Sequence, residues 1–195
     1  MARIKNSTII WIVVGVIVLI TVLSFIGSYN KFATLEERID GQWSEVENQY
    51  ERQANVIPNL VSTVSSQVGA ETQFVKDVTE ARASWAEANS QIDKDKAGQE
   101  MNSKVNILVN AVAENYPTLL ASEGYIALRD GLVGAQNRIT VARGKYIENI
   151  QGYNTAVRRF PGNVVAGIFG FEKRDYYKAS ESSMSTPNLG DRDLP

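Results

Sequence analysis

Between Asn6 and Asn30 the chain carries no charged side chain, and the centre of that stretch, Ile9 to Ile26, reads IIWIVVGVIVLITVLSFI. Gly15, Thr21 and Ser24 are its only small or hydroxylated members. A helix rises about 1.5 Å per residue, so the run spans roughly 27 Å, close to the hydrocarbon thickness of a bilayer. Trp11 near one end and Tyr29 just past the other stand where interfacial aromatics gather. A cleaved signal sequence would have a shorter apolar core and a small-x-small cleavage site, and the residues around Gly27 offer none. A buried helix of a soluble protein is seldom so uniformly uncharged. The reading is therefore a retained transmembrane helix over residues 9–28, with the lipid bilayer as its partner. A short flank, residues 1–8, precedes it.

Arg3, Lys5 and the amino terminus lie on one side of this segment, Lys31 and Arg38 on the other, diluted by Glu36, Glu37 and Asp40. Counting basic residues alone leans slightly toward an inside N-terminus and a helical body outside the cytoplasm.

Beyond Asn30 the apolar residues recur at intervals of three and four. Leu35, Ile39, Trp43, Val46, Tyr50, Ile57, Leu60 or Val61, Val64 and Val68 form one face of a long helix, interrupted at Gln53. Phe74, Val78, Ala81, Trp85, Ala88 and Ile92 continue the period. Pro58 lies inside the first series, and a mid-helix proline removes a hydrogen bond and clashes with the preceding turn, so a kink, break or helix boundary is expected there. The polar stretch Ser90 to Gly98 reads as a turn. A further helix carries Met101, Val105, Leu108 and Val112 and ends near Tyr116-Pro117. The last runs through Tyr125, Leu128, Leu132, Ala135, Ile139, Ala142, Tyr146, Ile150, Tyr153 and Val157, the seam of antiparallel bundle packing, and stops at Phe160-Pro161-Gly162. No strand-period run competes. The expected fold is all-α: an N-terminal transmembrane helix that continues, without a linker, into an antiparallel bundle of three to four long helices over 29–178. A polar, aperiodic tail over 179–195 is expected to be disordered.

The 195 residues contain no histidine and no cysteine. That removes the usual general base, the usual zinc ligands, thiolate chemistry and Ser-His or Cys-His nucleophiles. Carboxylates such as Glu45, Glu80 and Glu114 do not make a di-iron site, which wants Glu-x-x-His on facing helices. No G-x-S-x-G elbow or paired-carboxylate arrangement points to a hydrolase. A net charge of −2 offers no basic field for nucleic acid. The reading is not an enzyme, with no catalytic residue, cofactor or metal assigned.

Several blocks carry a family resemblance: Tyr29-Asn30, Gln42-Trp43-Ser44, Val56-Ile57-Pro58-Asn59-Leu60-Val61, Glu80-Ala81-Arg82-Ala83, Glu114-Asn115-Tyr116-Pro117, Ala142-Arg143-Gly144-Lys145-Tyr146, Gly152-Tyr153-Asn154 and Phe160-Pro161. In order and spacing they resemble the LemA family, from the anchor to about Tyr177. Two places depart from it. The family's Arg-Arg pair and acidic residue before IPNLV are here Arg52, Gln53, Ala54 and Asn55, and its later Tyr-Asn is Tyr146-Ile147. The resemblance implies a single-pass membrane protein with an antiparallel helical bundle and a poorly defined molecular role. Family descriptions put the short N-terminus outside, against the lean of the flanking charges, so the side of the bundle stays open. Magnetosome-associated relatives point toward organising membranes rather than chemistry.

The positions singled out for a structural or interaction role are Tyr29, Asn30, Trp43, Arg52, Pro58, Asn59, Arg82, Tyr116, Pro117, Asn137, Arg143, Tyr146, Tyr153, Asn154, Phe160 and Pro161. Asn137, Arg138 and Arg143 are read as register-setting polar residues on the bundle seam, and Trp43, Trp85, Tyr50, Tyr125, Tyr146 and Tyr153 as core rather than the lining of a ligand slot. The apolar stretch Val164 to Phe171 is expected to cap the bundle, pair with another copy, or contact the membrane. The functional expectation is a self-associating, membrane-tethered scaffold or adaptor for other membrane proteins or membrane shape. The alternative is a signal-relay module of the cell envelope.

Overall fold

The computed structural model describes residues 6–68 and 73–176; the expected tail over 179–195 and the extreme N-terminus lie outside the described residues. Among the described residues there are six helices and no strand: α1 Asn6–Val68, α2 Gln73–Glu87, α3 Gln91–Asn115, α4 Pro117–Leu120, α5 Glu123–Arg158 and α6 Gly162–Phe169. The fold is all-α.

The chain divides into two compact units, and α1 and α5 contribute to both. The terminal unit comprises the chain up to Gln42 together with Lys145–Tyr176; the central unit is Trp43–Gly144.

In the terminal unit, α1 begins with the apolar run, none of which is buried. Its two hydroxyls turn back on their own helix, Thr21 Oγ1 donating to the Ile17 carbonyl (2.9 Å) and Ser24 Oγ to that of Ile20 (2.8 Å). Those bonds satisfy the hydroxyls without water, as a hydrocarbon surrounding would require. Past the run, Phe32 is buried and meets Phe171 and Tyr153 edge-on at centroid distances of 5.1 and 6.4 Å. Tyr153 on α5 donates its hydroxyl to Glu36 (3.2 Å). The segment after α6 is pinned from both sides by one residue: Asn154 Nδ2 donates to the Arg174 carbonyl (2.8 Å) and its Oδ1 accepts the Arg174 N–H (2.9 Å). The chain reaches that segment through Gly170, whose φ of 77° closes α6 in a left-handed C-cap that glycine adopts without strain.

The central unit is a four-helix bundle, and its directions follow from its polar pairs. Asp77–Lys104 sets α2 antiparallel to α3, and Asn106–Gln136 together with Val109–Tyr125 sets α3 antiparallel to α5. Glu47–Lys94 and Tyr50–Asp95 run α1 alongside α3 in the same direction. The result is up-down-up-down, the arrangement that short connections favour. Its core is the three-four stripe: Val46, Tyr50, Ile57, Leu60 and Val64 of α1 against Val75, Val78, Ala81 and Trp85 of α2, Met101, Val105, Leu108 and Val112 of α3, and Leu132, Ala135 and Ile139 of α5. Each fully buried Val, Leu or Ile contributes about 1.5–3 kcal/mol before chain entropy is subtracted. Pro117 ends α3: it holds Tyr116 at φ −134°, ψ 66°, outside the helical region, and then starts α4 at the first helical position.

Four expectations are corrected. The helix does not break at Pro58, which sits inside α1. The missing proline N–H would have bonded the Ala54 carbonyl; Arg82 Nε of α2 donates to that oxygen instead, at 2.8 Å. Ser90 to Gly98 is not a turn but the start of α3. Ser90 is the N-cap, its Oγ accepting the Asp93 N–H (3.0 Å), so the polarity there belongs to a helix start. Gln53 does not interrupt the buried face but is a fully buried member of it. Phe74 and Ile92, assigned to the stripe, are exposed; Val75 takes the place of Phe74, and Ile92 lies in the first turn of α3, off its buried face.

Candidate functional site: a buried polar tie in the central unit

Three helices meet at one carboxylate. Asp95, 2% exposed, receives both arms of the Arg143 guanidinium, Nε to Oδ1 at 2.9 Å and Nη2 to Oδ2 at 3.0 Å. The forked geometry matches carboxylate to guanidinium in one orientation only. Tyr50 of α1 donates its hydroxyl to Oδ1 (3.3 Å), and Gln99, one turn on from Asp95, donates to Oδ2 (2.8 Å). Four donors thus converge on the two oxygens. No lone pair remains poised to take a proton from a substrate, and the Arg143 charge is spent on the same group.

The position is possible because α3 gives way beside it. A Cβ at Gly98 would stand 2.5 Å from the Tyr50 ring, so only glycine lets that ring lie against the helix. Trp85 lies next to the ring (6.5 Å between centroids) and takes the Lys94 ammonium over its face at 5.2 Å; Lys94 also pairs with Glu47. Burial, and then the neighbouring Asp95, push the Tyr50 hydroxyl far above the ordinary phenol range. Burial also pushes the Asp95 carboxyl up, outweighing the opposite pull of Arg143. Desolvation of a buried pair offsets much of its attraction, so its presence is weak evidence for added stability. Below it on α1, Gln53 is fully buried with neither amide atom hydrogen-bonded, and the Gln49 carbonyl oxygen, the Trp85 indole N–H and the Asn102 carbonyl oxygen share that state.

The singled-out residues fall into distinct places. Arg143 is in the tie, and Arg82 and Pro58 share the Ala54 carbonyl described above. Trp43, Tyr146 and Tyr153 are buried, and Asn154 clamps Arg174. Tyr116 is half-buried at the α3–α4 junction with Pro117, and helps line an apolar groove of about 260 Å³ with Val64, Phe74 and Leu108. Tyr29 is part-exposed against Phe169, and the Asn30 carbonyl accepts the Thr34 hydroxyl (2.8 Å). Phe160 is 84% exposed and joined to Pro161 by a cis peptide. Arg52, Asn59 and Asn137 are on the surface, as is Arg138. Arg143 is half-buried beside the seam position Ala142, whereas Asn137 and Arg138 are exposed, away from the buried positions Ala135, Ile139 and Ala142. Asp95 and Gln53 were missed. A Ser-x-x-Asp capping pattern at Ser90 signals the helix start that carries Asp95, and a lone arginine at the edge of an apolar seam calls for an acid opposite it.

Among the described residues no group of three or more potential metal ligands comes together. A family model for the LemA family matches residues 42–189, well over half of the chain. The chain belongs to the LemA family. Similar proteins include the magnetosome proteins MamQ 2 and MamQ 1 of Paramagnetospirillum magneticum, each 24% identical over 92% of this chain and 78% of theirs. The magnetosome protein MamQ of Magnetospirillum gryphiswaldense is 22% identical over 86% of this chain and 72% of its own. The LemA match takes in the whole central unit, so the tie and the Arg82–Ala54 contact both lie within it. This LemA family member is a helical protein with, among the described residues, one helix long and apolar enough to cross a membrane.

Proposed function

We propose that this protein is a single-pass, non-enzymatic scaffold that holds a helical bundle at a membrane and assembles with copies of itself and with other membrane proteins. The observation that carries the reading is the continuity of α1: an unburied apolar run of bilayer length passes without a break into the stripe that builds the bundle core. A helix that carries both the apolar run and part of the bundle core leaves no flexible linker between them, which suits an organiser better than a tethered domain. The chemistry of the interior supports the same reading, because Asp95 and Arg143 are consumed by each other and by Tyr50 and Gln99. The names of the MamQ relatives associate them with magnetosomes, and a role in organising an internal membrane fits an anchor joined to a bundle.

The test is extraction in mild detergent followed by native-gel sizing and affinity capture of an epitope-tagged full chain. An assembly larger than one chain, retained in the membrane fraction after carbonate washing, is expected. Release by carbonate, or a lone monomer without partners, would overturn the reading.

A further inference from the structure

Helix α6 is apolar on nearly every face. Of Gly162–Phe169 only Asn163 carries a polar side chain. Val165 and Ala166 are buried against the terminal unit, while Val164, Ile168 and Phe169 are 42%, 62% and 55% exposed, with Phe160 at 84% just before them. A helix apolar all round belongs inside a protein or in lipid, and this one is only half inside the protein.

Its position supplies the occupant. Tyr29 packs edge-on against Phe169 (5.1 Å) and Phe171 (5.5 Å). Tyr29 follows the apolar run by three residues, about 4.5 Å along α1, the depth at which aromatic side chains meet the lipid headgroups. Two residues further, Lys31 enters a groove of about 400 Å³ that also takes in Gln151 and Thr155 near the end of α5 and Arg159 just past it. One acid, Glu148, also lines it, less than a turn before Gln151, so two basic residues face one acid there. Apolar surface, aromatic contact and basic charge therefore follow one another in the order of acyl boundary, headgroup and phosphate.

We propose that α6 lies in the interfacial layer of the leaflet from which α1 emerges, and that the Lys31–Arg159 groove beside it takes the phosphate of an anionic phospholipid. The proposal rests on the reading that residues 9–26 span the bilayer.

The absence of cysteine makes single-site labelling clean. Nitroxide labels at Val18→Cys, Ile168→Cys and Glu100→Cys of the full chain in lipid nanodiscs report their depth by relaxation with oxygen against a water-soluble nickel chelate. Oxygen is expected to dominate at positions 18 and 168, and nickel at 100. Oxygen at 18 with nickel at 168 overturns the proposal and leaves the anchor standing. Nickel at 18 sinks the anchor and the proposal together. Spin–spin broadening at 168 assigns the face to a second copy and also overturns it. In the second arm, spin-labelled phosphatidylglycerol is compared with phosphatidylcholine at the protein surface. A preference on the order of fivefold for each basic residue engaged is expected, and Lys31→Gln with Arg159→Gln abolishes it. Equal restriction of both lipids overturns the headgroup assignment, and displacement by soluble glycerol phosphate gives the groove to a free phosphate instead.

Discussion

The two units close their interiors by different chemistry. The terminal unit uses rings: Phe32 against Tyr153 and Phe171, and Tyr29 against Phe169 and Phe171, with charge confined to a half-buried edge where Arg174 approaches Glu36 and Asp40. The central unit places an ion pair and buried amides inside, with Arg143, Asp95 and Tyr50 joining three helices and Gln53 unsatisfied beside them. Ring packing is tolerant of small slides and of an apolar surrounding, which suits a unit that contains the unburied apolar run. A forked charge pair is satisfied in one register only, and a four-helix bundle with near-uniform apolar seams needs such a device to choose among its possible slides. Stability and register are thus assigned to different groups of residues.

That contrast can be broken experimentally, beginning where the effect is largest. Arg143→Ala strands a buried carboxylate, and chemical denaturation of the detergent-solubilised chain is expected to show a loss of about 3–5 kcal/mol. Replacing the pair together, Asp95→Leu with Arg143→Met, is expected to regain most of it while hydrogen exchange reports a less uniquely packed central unit. A double variant as unstable as Arg143→Ala would mean that the pair is worth more than register. Gly98→Ala drives a Cβ into the Tyr50 ring and is expected to cost about 1–3 kcal/mol, relieved by Tyr50→Leu in the same chain. A free-standing loss, unrelieved, would refute the close approach.

Arg82→Met leaves the Ala54 carbonyl buried without a donor, at about 1–2 kcal/mol. Pro58→Ala restores the backbone N–H, so in that background the same substitution is expected to cost less than about 0.5 kcal/mol. The remaining prediction concerns the terminal unit. Burial, with Glu36 adding to it, pushes the Tyr153 hydroxyl up to about 12. A raised pKa in the folded state means that the contribution of Tyr153 to stability is complete below the ordinary tyrosine value, about 10, and is lost as pH rises toward 12. Tyrosinate absorbance of the folded chain should show a late step that Tyr153→Phe removes, and the two chains should converge in stability across the same window.

How much of this could be read from the sequence depends on whether the signal was local. The apolar run, the three-four seams and the stops at Tyr116-Pro117 and Phe160-Pro161 are properties of neighbouring residues, and they appear in the helix bounds. Pro58 was misjudged because the residue that rescues its helix, Arg82, lies on another element. Asp95 was hidden by composition: five charged or amide residues among the first six of α3 look like a turn until the Ser90 cap is recognised, and the acid facing inward is indistinguishable by type from Asp93 facing out. Gln53 sat at a perfect core spacing and was set aside for its polarity, although geometry had already placed it inside. The exposed side of α6 could not be foreseen, because a short apolar helix has no polar face to mark which side is turned to the protein.

A proline normally subtracts one rung from the ladder it stands in. At position 58 the rung is moved rather than lost, since the oxygen left without its own helix's proton is held by a guanidinium from the neighbouring rod. An imino acid has in effect converted an internal bond into a rivet between α1 and α2, and the hairpin these helices form is fastened at the one place where its first arm is weakest.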